Sequence, residues 1–390
     1  MKIAFLNYFD LKNPENWPKP EFGFILTNYH KAKSLESFAD VEYICDLSYP
    51  LSRCRSDLVF TKRTIYSNLR KNYIHWATPH LSQVLAAQIK PRISEAKVDL
   101  VISSDTTLIA QLNISQPILL WATNLFSPLI NRYPDYSNLP WENVKNLRWF
   151  DVQSIRRCQN FIFPSQWAAN NIIREFGVHP SRVNIVPYGA NNTVSLSSKE
   201  IEQMITNRPK NQLNLLFIGV DWERKGGEIV LEIVRQLQAK GIPTNLTLVG
   251  AKPNNEALFP NVNSLGFIDQ FTPQGKAHLE KCFKESHILL LPSEAETYGN
   301  VLCEANSFGV PVIASHVDGI PTIVRPSYNG YTFPRQAFVA ESFRVLKYLF
   351  ENPTEYYQLA KSAYLEYQDR LNWSVVGDQL KSICQSTLNI

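Results

Sequence analysis

Six cysteines in 390 residues, at positions 45, 54, 158, 282, 303 and 384, are scattered and include no Cys-x2-Cys pair. Neither a disulfide framework nor a zinc site follows from them. The seven histidines show no His-x3-His or His-Glu-x2-His spacing, so no metal site is expected. No apolar run approaches the length of a membrane span. The start, Met1-Lys-Ile-Ala-Phe-Leu-Asn7, is too soon interrupted for a signal peptide and reads instead as a first strand. A cytoplasmic protein is the expectation. Charge is also sparse, with 19% charged residues and a formal net charge of +4. That mild balance suits anionic nucleotides or an anionic membrane surface and does not suggest a nucleic-acid binder.

What the chain does have is core-forming material. Hydrophobic residues make up 44%, and the length exceeds the size at which one core stops growing, so two domains are expected. Short apolar runs alternate with helical patterns, which predicts parallel sheets with crossover helices. In the first half the runs are 2–7, 41–46, 99–104, 117–121, 160–164 and 183–187. In the second they are 213–219, 245–250, 287–292 and 311–315, with a short one at 264–267. The polar stretch around 191–211 makes the best boundary between them. Two doubly wound domains facing each other across a cleft is the natural architecture.

The richest stretch is Glu296-Thr-Tyr-Gly-Asn-Val-Leu-Cys-Glu304, two carboxylates with seven residues between them. The run 287–292 reads as a buried strand. Val301, Leu302, Ala305 and Phe308 then recur at helical spacing until Gly309 and Pro311 stop the helix. Glu296 is thereby placed at the carboxyl end of a strand and Glu304 about one turn inside the next helix. Ligands of open α/β sheets bind at that edge. The free N–H groups of Gly299, Asn300 and Val301 would face the same space and suit a phosphate. A carboxylate beside phosphate is repulsive, so each Glu more plausibly accepts hydrogen bonds from sugar or ribose hydroxyls.

This segment resembles the E-x7-E signature of the retaining glycosyltransferases with the GT-B fold, the family that includes sucrose and mannosyl transferases. Pro292-Ser293, Gly319-Ile320-Pro321 and Asn329-Gly330-Tyr331 match its surroundings. Phe217-Ile-Gly219 leads to Arg224-Lys225-Gly226-Gly227, where the family carries its diphosphate-binding basic residues. Val186-Pro-Tyr-Gly-Ala-Asn191 resembles its inter-domain link. The resemblance is strong over 183–335, weaker over 99–175 and thin before that. It implies an α/β, GT-B fold of two Rossmann-like domains. Residues 1–191 would form the acceptor side and 192–372 the nucleotide-sugar side, with a helix at 373–390 returning to the first domain.

The resemblance also implies roles. Glu304 would hold the ribose hydroxyls and Glu296 those of the transferred sugar, without either being a nucleophile. Arg224 and Lys225 would stabilise the departing diphosphate, with Gly226 leaving room for backbone N–H groups. Thr297, Tyr298, Gly299, Asn300 and Val301 complete the donor site, and Phe267 would lie against the base or in the core. Relatives often carry an arginine directly after the glycine equivalent to Gly219, whereas this chain has Val220-Asp221. The implied reaction moves a hexose from a nucleoside-diphosphate sugar, UDP- or GDP-linked, to a hydroxyl of a glycan, lipid or small molecule. No cofactor and no divalent metal are required.

On the acceptor side, Gly23 occupies the place of the family's flexible glycine loop, and Asn124 could orient hydroxyls but not act as a base. Tyr133, Tyr136, Trp141 and Trp149 suit sugar stacking or domain packing about equally. Arg53, Arg55, Lys62, Arg63, Arg70 and Lys71 are interspersed with Leu58, Val59, Phe60, Ile65 and Leu69. They form either a solvated helix face or a peripheral contact with the inner membrane surface. A nucleotide-sugar epimerase of the same fold needs further acid and base carboxylates that the chain does not show. A protein that binds nucleotide sugar without catalysis stays open.

Overall fold

The computed structural model describes residues 1–14, 17–18, 21–49, 52–192, 196–250 and 261–389. The chain divides into two compact units, Met1–Val186 together with Val376–Ile390, and Pro187–Val375.

The first unit is built on a six-stranded sheet. Its strands are β1 (Lys2–Leu6), β2 (Asp40–Ile44), β3 (Leu100–Ser103), β4 (Ile118–Trp121), β5 (Asn160–Phe163) and β6 (Val183–Ile185). They lie in the order β2-β1-β3-β4-β5-β6, and every pairing is parallel. Central strands such as Ile118-Leu-Leu-Trp121 are buried along their whole length, as a sheet covered on both faces requires. One covering helix, Pro79–Ala96, buries Leu81, Leu85, Ile89 and Ile93, one residue per turn on one stripe.

The second unit repeats the scheme with β7 (Leu213–Gly219), β8 (Thr244–Gly250), β9 (Val262–Ser264), β10 (Ile288–Leu291), β11 (Val312–Ser315) and β12 (Gly330–Phe333). Their order is β12-β11-β10-β7-β8-β9, again all parallel. Helix Gly227–Ala239 sets Val230, Ile233, Val234 and Leu237 into a core shared with Leu215, Phe217, Leu246 and Leu248.

Two local expectations change, while the short helical stretch expected in the polar boundary segment is helix Ser198–Asn207, closed by a Ser197/Glu200 capping box. Its Ile201 and Ile205 are buried in the second core. The run 264–267 is mostly loop, because β9 ends at Ser264. Strand β12 went unread, since only four residues pair and they open on a glycine.

In each sheet the chain lays down one strand, builds outward on one side, then returns to build on the other. The strand order therefore reverses between β1 and β3, and between β7 and β10. Loops leaving such neighbouring strands splay apart and open a crevice at the carboxyl edge.

Candidate functional site in the second unit

Beyond β7 the chain makes a one-turn helix, Trp222–Lys225, capped by Asp221, whose carboxylate accepts the Arg224 N–H at 3.1 Å. Arg224 and Lys225 occupy the last turn of this short helix, where the backbone dipole favours cations. The longer helix begins just after them, at Gly227. Arg224 ties the loop to its neighbour. Its Nε donates to Asp221 Oδ2 at 3.0 Å and a terminal nitrogen to the Ala295 carbonyl at 2.9 Å. The Glu294 N–H returns a bond to the Arg224 carbonyl at 2.7 Å. Gly226 has φ +77°, and a Cβ there would stand 2.5 Å from the Pro292 carbonyl oxygen. Only glycine lets the two loops approach so closely.

Beyond β10 lies the paired-carboxylate segment. Glu296 is 9% exposed. Its N–H donates to Asp318 Oδ2 and its carbonyl accepts from Gly319, both at 3.0 Å. Its carboxylate is ion-paired with the Lys225 ammonium. Gly299 follows with φ +102° and opens helix Asn300–Ser307, which no side chain caps. The N–H groups of its first turn, around Asn300 and Val301, are the donors that an anion seeks. Glu304 sits one turn in and is partly buried. Burial raises its carboxyl pKa to about 7, and a hydrogen bond from the Asn191 backbone N–H opposes that rise. Neither glutamate is on an exposed helix face.

The other predicted residues fall out differently. Tyr298 is 1% exposed, its hydroxyl donates to the Tyr188 carbonyl at 2.9 Å, and the two rings meet edge to face. Its side chain is thus a core element, which leaves its backbone to face the site. Cys303 is fully buried and burial pushes its thiol up to about 12, so it is an inert packing residue. Phe267 is 49% exposed beyond β9, after Gly266 in the left-handed region (φ +64°), and is no core aromatic. Asp318, Gly319 and Asn191 support the site but were not singled out for it. Ser293 is fully buried, with a hydroxyl that finds no partner.

In the first unit Gly23 lies in the first turn of helix Phe22–Glu36 and not in a loop. Space is open where its Cβ would be. Asn124, just after β4, has an amide shielded from solvent with no hydrogen-bond partner. The same is true of Asn28, which is fully buried. One turn further along that helix, Lys31 is 1% exposed, and its ammonium donates to the Trp121 carbonyl at 3.1 Å. Burial lowers its pKa to about 7, with Asp105 pulling the other way. Asn28 and Lys31 share a helical stripe with Ile25, Ala32 and Leu35, a spacing that could have flagged them as buried.

Cavities at the opposite, amino edge of the second sheet are of another kind. One of about 260 Å3 is lined by Arg208 and His287. Their polar groups are held by backbone carbonyls, with Arg208 on Gly309 and Phe308 and His287 on Pro209. That arrangement is structural.

With this geometry in view, comparison with known proteins is direct. Residues 198–366 match the model of the family described as glycosyl transferases group 1. That match lies within the second unit, Pro187–Val375. Among curated proteins, the chain is 22% identical over 245 residues to a D-inositol 3-phosphate glycosyltransferase of Gordonia bronchialis, covering 60% of this chain and 53% of that protein. A protein described as D-inositol 3-phosphate glycosyltransferase 1 of Catenulispora acidiphila is 25% identical over 56% of this chain and 55% of its own length. The chain spans about half the length of these relatives. Among solved structures, HepE of Anabaena in complex with UDP and glucose aligns over 99% of this chain and 100% of its own, at 17% identity and TM-score 0.63. Sucrose-phosphate synthase of Thermosynechococcus elongatus aligns over 99% and 98%, at 16% identity and TM-score 0.66. The fold is that of the GT-B glycosyltransferases, with two six-stranded parallel α/β domains.

Proposed function

We propose that this chain is a retaining glycosyltransferase. It takes a hexosyl group from a UDP- or GDP-linked donor and passes it to a hydroxyl of a glycan, lipid or small molecule. The observation that carries this reading is the Lys225–Glu296 ion pair. It brings together a cation from the β7 loop and a carboxylate from the β10 loop at the strand reversal, beside the uncapped helix start at Asn300. The two charges neutralise each other. With donor bound, Lys225 would turn to the diphosphate and Glu296 to the hydroxyls of the sugar.

In the reaction, the bond from the sugar's anomeric carbon to the diphosphate oxygen breaks as a bond to the acceptor oxygen forms on the same face. The acceptor's proton passes to the leaving phosphate, so no protein nucleophile is needed. Lys225, Arg224 and the N–H groups of Gly299, Asn300 and Val301 would stabilise the charge that gathers on the diphosphate. Thr297 and the Tyr298 backbone would frame the sugar, Gly226 would admit the phosphates, and Phe267 would lie against the base. Glu304 would hold the ribose hydroxyls. Asn124, with Gly23 at the start of its helix, would serve the acceptor. The relatives named for D-inositol 3-phosphate favour a polyol acceptor of that kind.

Glu304 supplies the test. Both of its oxygens are free to accept from the two ribose hydroxyls only in the ionised form, whereas burial holds its pKa near 7. Donor binding below pH 7 must therefore release a proton from it. Calorimetry of a UDP- or GDP-sugar at pH 6 in two buffers of different ionisation enthalpy should show that release, and Glu304→Gln should abolish it and weaken binding. Unchanged affinity and unchanged proton release in the variant would remove Glu304 from the donor site.

A further inference from the structure

We infer that helix Arg53–Asn68, with the adjoining Trp141, is a docking surface for an anionic lipid bilayer. This goes beyond the transfer reaction and does not depend on it. The helix has sixteen residues, and none of those whose burial is described is buried. No residue of it belongs to the apolar core of its unit. It rests on its neighbours through Val59, Lys62 and Tyr66, which recur at helical spacing and are its partly buried positions. Lys62 is paired with Glu142 at 2.5 Å, and Tyr66 stacks on Tyr73 with ring centres 5.2 Å apart.

A second stripe runs beside that contact, roughly a quarter-turn round the helix. It consists of Leu58, Ile65 and Leu69, at 55%, 50% and 63% exposure. A soluble helix normally turns such a stripe inward. The Lys62–Glu142 pair brings the start of helix Trp141–Arg157 alongside, and there Trp141 is 71% exposed. The Lys145 ammonium lies 5.6 Å from its ring. An exposed indole beside a lysine matches the chemistry of the headgroup layer, where one end of the side chain is apolar and the other wet.

Charge decides the occupant. From 53 to 71 the sequence holds six basic residues against the single acid Asp57. Arg55, Arg63, Arg70 and Lys71 are exposed, and none of them has a carboxylate partner among the described ion pairs. A protein partner would favour paired charges around an apolar centre. Exposed apolar side chains set among unpaired cations fit phosphate headgroups above acyl chains. No helix among the described residues is long and apolar enough to cross a membrane, so the contact is with the surface.

The full chain should sediment with vesicles of phosphatidylcholine and phosphatidylglycerol but not with phosphatidylcholine alone, and added salt should weaken the binding. Leu58→Glu with Ile65→Glu should cut the bound fraction about tenfold, as loss of an inserted apolar face predicts. Arg63→Glu with Arg70→Glu should do the same, while both double variants keep the parent's melting midpoint and donor binding. Absence of wild-type binding to anionic vesicles would overturn the inference. So would equal binding by the Leu58/Ile65 variant, which would reduce the effect to general charge. A wild-type dimer in sedimentation analysis that the Leu58/Ile65 variant turns into monomer would assign the stripe to a second copy instead.

Discussion

Both sheets reverse their strand order next to the first strand they lay down, at β1 and β3 in one unit and at β7 and β10 in the other. The groups found there differ in kind. The second unit gathers Lys225, Glu296, Gly226 and a helix start with no side-chain cap within the two segments 220–226 and 292–300. The first gathers Lys31 from a helix, Asp105 from beyond β3 and the Trp121 carbonyl from the end of β4. One is drawn from two short loops, with an ion pair between them and a helix start beside it. The other is a buried cation held by a carbonyl, with the unpartnered amides of Asn28 and Asn124 in the same unit. The same scaffold therefore supports a site made of local motifs and a cluster assembled from residues up to about ninety positions apart.

That contrast can be broken by titration. The folded chain holds Lys31 at about 7, against 10.5 when unfolded. Between those values the unfolded chain binds a proton that the folded chain does not, so this group's contribution to stability rises with pH from about 7 and levels off above 10.5. Lys31→Met should remove that rise. The difference in unfolding free energy between parent and variant should change by about 3–4 kcal/mol from pH 7 to pH 10. Parallel melting curves across that window would mean that Lys31 is solvated.

A second test separates the units by function. Lys225→Ala should weaken donor binding by roughly 1.5–3 kcal/mol, the worth of a charge-assisted hydrogen bond. Asn124→Ala should leave donor binding untouched and raise the concentration of acceptor needed for turnover. Equal effects of the two variants on donor affinity would erase the distinction between a donor unit and an acceptor unit.

Smaller still is the effect expected of Glu296→Gln on plain nucleoside diphosphate. With its partner neutral, Lys225 no longer has to leave an ion pair, so affinity should stay level or improve by up to about 1 kcal/mol while turnover falls. A clear loss of nucleoside diphosphate affinity would place Glu296 on the nucleotide and not on the sugar. The smallest effect is none at all. Activity should persist in excess chelator, because Lys225, Arg224 and helix N–H groups supply positive charge. Loss restored by magnesium or manganese would contradict that.

The paired glutamates and the basic pair were legible in the sequence as short, contiguous runs, which in the proposed function would serve phosphate and hydroxyl recognition. Glycine, helix start and charged side chain must follow one another within a few residues there. Most strands were legible too, as apolar runs, but β12 was not, since four residues opening on a glycine carry little pattern. Tyr298 read as a ligand contact because it lies inside the motif, yet packing against Tyr188 drew its ring into the core. Gly23 read as a loop by position, whereas the residues after it continue the helix.

By itself, then, the sequence determined the α/β class and the parallel pairing, and it put Lys225 and Glu296 just beyond strand ends, because periodicity and local motifs act within a few residues. Only the tertiary structure decided which charges meet. Lys225 and Glu296 are separated by 70 intervening positions, yet they pair because β7 and β10 lie side by side. The pKa of Lys31 is pulled down by burial and held up by Asp105, which lies 74 positions away in the sequence. Leu58, Ile65 and Leu69 stay exposed because the helix that carries them turns a different stripe to the body of the unit. Burial and charge pairing are properties of neighbours in space, and folding chooses those neighbours.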